Sequence, residues 1–338
     1  MRKRQAGLLA ITLLFAVKVQ CADTVPLRLI DRYKFPSEVK GTFHHFMADV
    51  RGHRLFCAAQ QHKSVVVFDL QTGKVIHTID GIVPSAIFYR QDLGHLYVTD
   101  GGEGGLKIFD GKTYDLIKTV KLLPDSDAIA YDSKTKYLYA VNGGGDAKMT
   151  YSTISIIDTT SGEKVADMKV DGDALKAMVL DTSSSRLYVN NQAKSQIEVI
   201  DRVTRAITAG WPITLAKANY GIALDETHHR LFVGCRDGQI IVFDTETGKE
   251  LQALPINKGI DDLEFNSASK RLYAACAGGD GSVDVYEETD PDHYKSLGSV
   301  PSGPGARSGH LVPELKRYFV EAPQHGSTDA EVLVYEVD

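Results

Sequence analysis

Long helical periods and long apolar runs are both missing from this 338-residue chain, and each absence excludes a class of protein. Because apolar residues never recur at a sustained 3.6-residue spacing, the chain is neither a helical bundle nor a helical solenoid. The clearest apolar run, residues 7–17, is too short to span a bilayer comfortably, so no transmembrane segment is expected. Glycine-rich segments at 101–105 and 143–146 precede no helix, which excludes a phosphate cradle of the P-loop or dinucleotide type. A nucleophile elbow and a zinc-protease helix motif are missing as well.

Cysteine is scarce, with four residues in the whole chain. Cys21 falls in the export segment predicted below, which leaves the odd set Cys57, Cys235 and Cys276. Cys235 and Cys276 occupy one slot in neighbouring repeats, where the backbones lie too far apart for the roughly 4.4–6.8 Å Cα separation of a disulfide. We therefore expect buried free thiols rather than a disulfide framework.

Basic residues are outnumbered, since 38 Lys and Arg face 44 Asp and Glu for a formal net charge of −6. Export would remove four basic residues (Arg2, Lys3, Arg4 and Lys18) and no acid, which moves the charge to −10. Broad binding to nucleic acid or to an anionic membrane needs clustered positive charge, so neither is expected.

What the chain does contain is one strand pattern, Leu-Tyr-Val or a close variant, that recurs at a regular spacing. Its leucine stands at Leu55, Leu96, Leu138, Leu187, Leu231 and Leu272, and Tyr318 marks a weaker seventh copy. The intervals run from 41 residues (Leu55 to Leu96) to 49 residues (Leu138 to Leu187). Repeats of roughly 40–50 residues filled by short strands and turns are typical of a β-propeller.

Each repeat predicts four strands: an inner strand, the Leu-Tyr-Val strand, a third strand that ends in Asp, and an outer strand. The recurring Asp is interpreted as a turn-forming residue rather than a catalytic carboxylate, and it stands at Asp69, Asp110, Asp158, Asp201 and Asp244. The seventh repeat stops after its third strand, and residues 27–34 are a candidate for the missing outer strand. The sequence therefore predicts an all-β, seven-bladed propeller of four-stranded blades, one domain over residues 22–338, closed by its N-terminal strand.

Two copies of the repeat, Leu96-Tyr97-Val98-Thr99-Asp100 and Leu187-Tyr188-Val189-Asn190-Asn191, carry a more specific signal. They resemble the Tyr-Val-Thr-Asn signature of the YVTN-type β-propeller repeat family, and the resemblance covers nearly the whole chain after residue 21. It implies a seven-bladed ring, with exported, surface-layer-associated and lactonase-like propellers among the relatives. The motif is structural, and no local signature carries the catalytic residues of the lactonases over to this chain. A single tryptophan, Trp211, and the absence of a Trp-Asp dipeptide argue against WD40 repeats.

The N-terminus predicts the destination of the protein. Arg2, Lys3 and Arg4 precede the short apolar run, a pattern typical of a secretory signal peptide over residues 1–21. We expect cleavage after Cys21 and a periplasmic or extracellular protein. A lipoprotein anchored through Cys21 is disfavoured, because Lys18 and Gln20 fit poorly where a lipobox needs Leu and a small residue.

Function in such a ring is expected at one end of the central channel, at the mouth where the inner strands begin. The residues at the start of the inner strands are varied and polar, whereas the positions just below them stay apolar. The predicted ligand-binding residues are His44, Asp127, Lys176, Tyr220, Asp261, Arg307 and His310. A mouth that mixes both charge signs with an aromatic ring suits a small polar ligand or a peptide segment of a protein partner. The alternative is a water-filled channel whose polar lining is merely solvated.

Histidines at the mouth add a candidate metal site. Aligning the first and seventh repeats places His62 and His325 in one slot after the second strand, and His44 begins the inner strand between them. Three imidazoles with an open position form a common catalytic zinc arrangement, so a divalent transition metal is a candidate cofactor at His44, His62 and His325. The same rings could instead serve a ligand or acid/base site without metal, or be rim residues bonded only to water or backbone.

Two functions from different classes follow. The favoured one is a monomeric, exported, non-enzymatic propeller that binds a small polar molecule or a protein segment at its channel mouth. The alternative is a secreted metal-dependent hydrolase or lyase of lactonase-like type, with Asp127 or Asp261 near the three histidines. Stoichiometric metal that is lost when one histidine is mutated would favour the enzyme.

Overall fold

The computed structural model describes residues 25–337, which form seven four-stranded antiparallel sheets arranged as the blades of a closed ring. In the first six blades the strands follow chain order from the inner strand at the channel to the outer strand at the periphery. The predicted all-β, seven-bladed propeller is therefore confirmed. The predicted signal peptide at residues 1–21 lies outside the described residues.

The strand bounds follow the repeat. Strand β1 spans Arg28–Lys34 and belongs to the last blade. Blade 1 contains β2 (Phe46–Asp49), β3 (Arg54–Ala59), β4 (Ser64–Asp69) and β5 (Val75–Asp80). Blade 2 contains β6 (Pro84–Arg90), β7 (His95–Asp100), β8 (Gly105–Asp110) and β9 (Leu116–Lys121). Blade 3 contains β10 (Ile129–Asp132), β11 (Tyr137–Gly143), β12 (Tyr151–Asp158) and β13 (Glu163–Asp171).

The remaining blades repeat the order. Blade 4 contains β14 (Leu175–Leu180), β15 (Arg186–Asn191), β16 (Gln196–Asp201) and β17 (Ala206–Pro212). Blade 5 contains β18 (Asn219–Asp225), β19 (Arg230–Cys235), β20 (Gln239–Asp244) and β21 (Glu250–Pro255). Blade 6 contains β22 (Ile260–Asn266), β23 (Arg271–Cys276), β24 (Ser282–Asp290) and β25 (His293–Pro301). Blade 7 contains β26 (Ser308–Val312), β27 (Arg317–Ala322) and β28 (Glu331–Glu336), together with β1.

The described helical structure is limited to two short 3₁₀ turns, Gln192–Lys194 and Pro313–Leu315. Within residues 25–337 no helix has the length and the hydropathy that a membrane crossing needs.

Strand β1 closes the ring, as the sequence predicts. It pairs antiparallel with β28, with Tyr33 opposite Val332. The strand and its flanks also bury three large side chains against the neighbouring blades, since Leu27, Tyr33 and Phe35 are 1%, 6% and 3% exposed. Closure therefore combines main-chain hydrogen bonds with burial of apolar surface, and it removes the open edge that β28 would otherwise present.

The recurring leucine is the centre of the packing between blades. Each one is 0% exposed: Leu55, Leu96, Leu138, Leu187, Leu231 and Leu272. Neighbouring blades cover both faces of each sheet, so one apolar cluster contains Phe319 and Val334 of blade 7 together with Leu55 and Phe68 of blade 1. This arrangement explains why the inner parts of the strands read as continuous apolar runs rather than as alternating ones.

Two smaller expectations are also met. The Asp that ends the third strand forms the following turn, because Asp69 Oδ1 accepts hydrogen bonds from Thr72 N at 2.7 Å and from Thr72 Oγ1 at 2.8 Å. The three described cysteines, Cys57, Cys235 and Cys276, are buried and free.

Candidate functional site

The polar residues predicted at the start of the inner strands lie around one mouth of the channel. The term channel rim refers below to His44, His45, Asp127, Lys176, Tyr220, Arg236, Asp261, Asp262 and Arg307. Near their beginnings β6, β14, β18 and β22 carry register shifts, which re-aim side chains away from the regular pleat. His44 precedes the first inner strand, which starts two residues later at Phe46, and its N–H donates to the Ala58 carbonyl at 2.9 Å.

One side of the rim is built around the buried Asp261 carboxylate, which is 6% exposed as a residue. Arg236 Nε donates to its Oδ1 at 3.0 Å, and Arg307 Nε lies 2.7 Å from its Oδ2. The Arg236 guanidinium also stacks on the Tyr220 ring, 3.6 Å from the ring centroid, and Lys176 Nζ lies 5.3 Å from the same centroid. Two guanidinium groups thus share one carboxylate, and this side of the rim carries an excess of positive charge.

His45 joins blade 1 to blades 6 and 7. Its Nδ1 lies 2.9 Å from Asp262 Oδ1, and the other oxygen of Asp262 accepts a hydrogen bond from Gly309 N at 3.0 Å. Desolvation by itself lowers the pKa of His45, but attraction to the Asp262 carboxylate and the hydrogen bond with it outweigh that effect and raise the pKa to about 9. His45 is therefore an imidazolium at neutral pH.

His44, its neighbour in the chain, behaves in the opposite way. Desolvation lowers its pKa to about 4, helped by the positive charge of His45 and only partly offset by Asp127. The ring nitrogens of His44 and His45 and a carboxylate oxygen of Asp127 all lie within 4.8 Å of one another. At neutral pH this cluster therefore places one neutral imidazole and one imidazolium beside the Asp127 side chain.

The cluster offers three ligand atoms for a metal ion, but its charge state competes with a metal. A metal binds the deprotonated form of an imidazole, so an ion would have to displace the proton that Asp262 holds on His45. The donor set of two imidazoles and one carboxylate is otherwise one that Zn²⁺ accepts. The three residues thus fit a transition metal best at alkaline pH, whereas at neutral pH His45 holds a proton instead.

The sequence-predicted metal set of His44, His62 and His325 is not gathered in this structure. His62 Nδ1 lies 2.9 Å from Ser64 Oγ of its own blade. His325 is exposed and pairs with Thr328 in an isolated bridge between β27 and β28. The loops that carry these two residues do share a slot in the repeat, but their side chains do not join the cluster that His44 forms with His45 and Asp127.

A cavity of about 260 Å³ lies directly below the rim. One wall is polar and contains Asp262, Glu264 and His310, and His310 Nδ1 lies 3.1 Å from Glu264 Oε1. The opposite wall comes from blades 1 to 4 and is mostly apolar, with Phe46, Ile87, Phe88, Ile129 and Met178 among its side chains. His310, expected at the rim, thus lines the cavity beneath it.

Four residues of this site were not among the predicted ligand-binding residues: His45, Arg236, Asp262 and Glu264. Arg236 follows the second strand of blade 5, and the loops after second strands reach the same mouth as the inner-strand starts. Asp262 and Glu264 follow Asp261 along β22, whose register shift between Ile260 and Leu263 turns Asp262 toward the channel. If side chains alternated strictly between the two faces of β22, Asp262 would lie on the face opposite Asp261. The bulge breaks this alternation, so the sequence pattern does not predict the position of Asp262.

Comparison with known proteins supports the fold and leaves the activity open. No family model matches the chain. An uncharacterised protein, YncE, of Salmonella typhi is 29% identical over 119 residues, and YncE of Salmonella typhimurium matches equally. Each match covers 34% of this chain and 34% of the relative, so it spans about a third of the relatives' length.

Solved structures extend the likeness to the whole ring. A chain of the mitotic checkpoint complex superposes with a TM-score of 0.74, at 13% identity, over 100% of this chain and 99% of that one. A chain of the hydrazine synthase of Kuenenia stuttgartiensis superposes with a TM-score of 0.63, at 15% identity, over 77% of this chain and 84% of that one. At such identities the likeness shows a shared fold and nothing about function.

Proposed function

We propose that this protein is an exported, YVTN-type propeller that binds a small zwitterionic ligand, or the end of a peptide, at its channel rim without catalysing a reaction. The observation that carries the proposal is the uneven distribution of charge around the rim above a half-apolar cavity. Arg236 and Arg307 share the single carboxylate of Asp261, so one positive charge on that side is uncompensated. Asp127, in blade 3, forms no ion pair with a lysine or arginine of the described residues.

A ligand with both charge signs matches this arrangement. Its carboxylate would face Arg236 and Arg307, and its ammonium group would face Asp127, beside the neutral His44. An apolar side chain on such a ligand would enter the cavity along the wall formed by Ile129 and Met178. The arrangement resembles the way that a few placed polar groups orient a ligand while apolar walls supply most of the buried area.

The test is calorimetric titration of the purified mature protein with free amino acids and with short peptides. Each charged hydrogen bond is worth roughly 1.5–3 kcal/mol, so Asp127→Asn and Arg307→Gln should each weaken binding about tenfold or more. The matched control is His229→Asn, because His229 is exposed in the turn between β18 and β19 on the opposite face, and Asn tolerates its positive φ of 57°. Absence of binding across the whole set, or affinity that both rim variants leave unchanged, contradicts the proposal.

The second candidate is a metal-dependent hydrolase or lyase, and the observation that favours it is the close approach of His44, His45 and Asp127. Titration with Zn²⁺ should then show binding that strengthens as pH rises through the pKa of His45, about 9. His44→Ala should abolish that binding. If His62→Ala or His325→Ala loses the metal, the result would instead support the metal site of His44, His62 and His325 that the sequence predicts.

Export is part of the proposal and rests on the charged start and apolar run of residues 1–21. A fusion of residues 1–24 to alkaline phosphatase should be active outside the cytoplasm, because that enzyme needs an oxidising compartment for its disulfides. Mass spectrometry of the mature protein should find Ala22 at its N-terminus. An acylated Cys21 would show a lipoprotein, and an intact Met1 would refute cleavage.

A further inference from the structure

On the face opposite the rim, two carboxylates from adjacent blades meet in a buried position. Asp225 ends the inner strand of blade 5, and Glu288 follows Glu287, which occupies in β24 of blade 6 the position of the acid that ends the third strand in other blades. The Asp225 side chain is 3% exposed and the Glu288 side chain is 0% exposed. Both approach the same imidazole nitrogen, since His228 Nδ1 lies 2.6 Å from Asp225 Oδ2 and 2.7 Å from Glu288 Oε1.

The other blades show what this pair of positions normally holds. The residue after the end-of-strand acid is Leu70, Gly111, Thr159, Arg202, Thr245, Glu288 and Val337 in blades 1 to 7. Between blades 2 and 3, Arg90 Nη1 donates to Thr159 Oγ1 at 2.8 Å. Between blades 3 and 4, Asp132 pairs with Arg202. Only complementary partners occur at these two contacts, whereas the contact between blades 5 and 6 places an acid against an acid.

The Glu288 carboxylate is left without an adequate partner by the protein itself. Nδ1 of His228 can supply at most one proton to the two carboxylates, and neither oxygen of Glu288 accepts a hydrogen bond of ordinary geometry from the described residues. Neither carboxylate forms an ion pair with Lys or Arg within residues 25–337. Two buried carboxylates beside one imidazole carry an excess negative charge unless a cation or a shared proton lies between them.

We propose that Asp225, His228 and Glu288 form a divalent transition-metal site that fastens blade 5 to blade 6. One imidazole nitrogen and two carboxylate oxygens already lie within 4.8 Å of one another. Tetrahedral Zn²⁺ lies about 2.0–2.2 Å from its N and O ligands, which places the ligand atoms roughly 3.3 Å from one another. The imidazole nitrogen and the two carboxylate oxygens therefore need to move apart only slightly to admit the ion. The imidazole favours Zn²⁺ or Co²⁺ over Ca²⁺ and Mg²⁺, which prefer oxygen ligands alone, and the two carboxylates also suit Mn²⁺. The His228 side chain is 25% exposed and gives an ion a path from solvent.

The proposed metal site accounts for His228 and for the two facing acids between blades 5 and 6, which have no part in binding at the channel rim. His228, on the face away from the rim, is not merely solvated but closes a buried cluster. The metal replaces the contact that complementary side chains supply between blades 2 and 3 and between blades 3 and 4. We assign it a structural role because it joins two blades at a buried interface; a bound water would complete the tetrahedral coordination of Zn²⁺ beside the three protein ligands. This inference is independent of ligand binding at the rim.

The test uses the full mature protein, first stripped with a chelator and then titrated with Zn²⁺, Mn²⁺ and Co²⁺. We expect one equivalent to bind and the melting temperature of the wild type to rise, because an ion that binds only the folded state stabilises it. Glu288→Thr, which copies the residue of blades 3 and 5, should abolish both effects, and His228→Gln is a second such variant. Binding should persist in His229→Asn and in Asp127→Asn, which separates this site from the cluster at the rim.

Two results would overturn the assignment. Metal binding that survives in Glu288→Thr and in His228→Gln would place the ion elsewhere. If no ion shifts the melting temperature of the wild type, and Glu288→Gln melts with the wild type, then a shared proton rather than a metal holds the two carboxylates together.

Discussion

Closure of the ring by β1 makes a quantitative prediction at Tyr33. Its ring packs 5.9 Å from the Phe68 ring and 6.4 Å from the Phe319 ring, and it is 6% exposed. Truncation of a buried aromatic side chain to Ala costs about 3–5 kcal/mol, a large part of the roughly 5–15 kcal/mol that a domain has in total. Tyr33→Phe removes only the hydrogen bond from the hydroxyl to the Leu70 carbonyl, 3.0 Å long, and should cost about 1 kcal/mol.

Urea unfolding followed by tryptophan fluorescence measures this effect. The single tryptophan, Trp211, packs between Tyr188 and Phe243 in blades 4 and 5, far around the ring from β1. If the ring unfolds as one unit, Tyr33→Ala lowers the midpoint seen at Trp211. The control is Leu29→Ala in the same strand, where Leu29 is 39% exposed and the cost should stay within about 0.5 kcal/mol. A Trp211 transition in Tyr33→Ala that coincides with the wild type would refute closure as the source of cooperativity.

Three further predictions concern titration and reactivity. His45, with a folded pKa of about 9 against 6.5 unfolded, stabilises the fold fully below pH about 6.5, and the effect is lost as pH rises through about 9. The melting-temperature difference between wild type and Asp262→Asn should therefore shrink across that window, and a constant difference would contradict the assignment. The pKa of His44 is lowered to about 4, so the stability of the fold should fall as pH drops from about 6.5 to 4, because in that range only the unfolded chain takes up the proton. His44→Gln should flatten the plot of melting temperature against pH over this range, and an unchanged slope would contradict the assignment. Burial raises the pKa of the Cys57, Cys235 and Cys276 thiols, so a thiol reagent should label none of them in the native protein and all three in urea, and rapid native labelling would show an open blade interface.

The fold was predictable because its signal is periodic. Leu55 and its counterparts recur since every blade must bury the same position against its neighbours, so each repeat is an independent observation of one structural constraint. Closure by residues 27–34 followed from counting strands, because a seventh blade with three strands needs a fourth. Periodicity thus determined the architecture without reference to any single residue.

The site was predictable only in outline, because its residues break the repeat. The sequence assigns the inner-strand starts to one mouth as a group, but β10 begins at Ile129 and four other inner strands carry bulges near their beginnings. A bulge shifts by one residue the alternation of side chains between the two faces of a strand, and in β22 it brings Asp262 to His45. Alignment of the repeats alone does not predict that ion pair. The histidine slot shared by His62 and His325 was an alignment of backbone positions, and neither residue belongs to the cluster that His44 forms with His45 and Asp127.

The charge state of the rim was likewise beyond the sequence. His44 and His45 are adjacent and chemically identical, yet desolvation lowers the pKa of the first while Asp262 raises that of the second. The hydrogen bond with Asp262, which His45 has and His44 lacks, distinguishes the two rings. The buried contact of Asp225 with Glu288 was hidden for the same reason, since it joins positions on different blades.

The most direct test of binding at the rim is an NMR titration of the protein labelled in its eleven histidines. His44, His45 and His310 report on the rim and the cavity below it, whereas His53, His228 and His229 lie in turns on the opposite face and His95 begins β7 on that same face. With a zwitterionic amino acid or short peptide, we predict saturable shifts confined to the first group and absent in Asp127→Asn. Shifts confined to the second group, or none at any histidine at saturating ligand, would contradict binding at the channel rim.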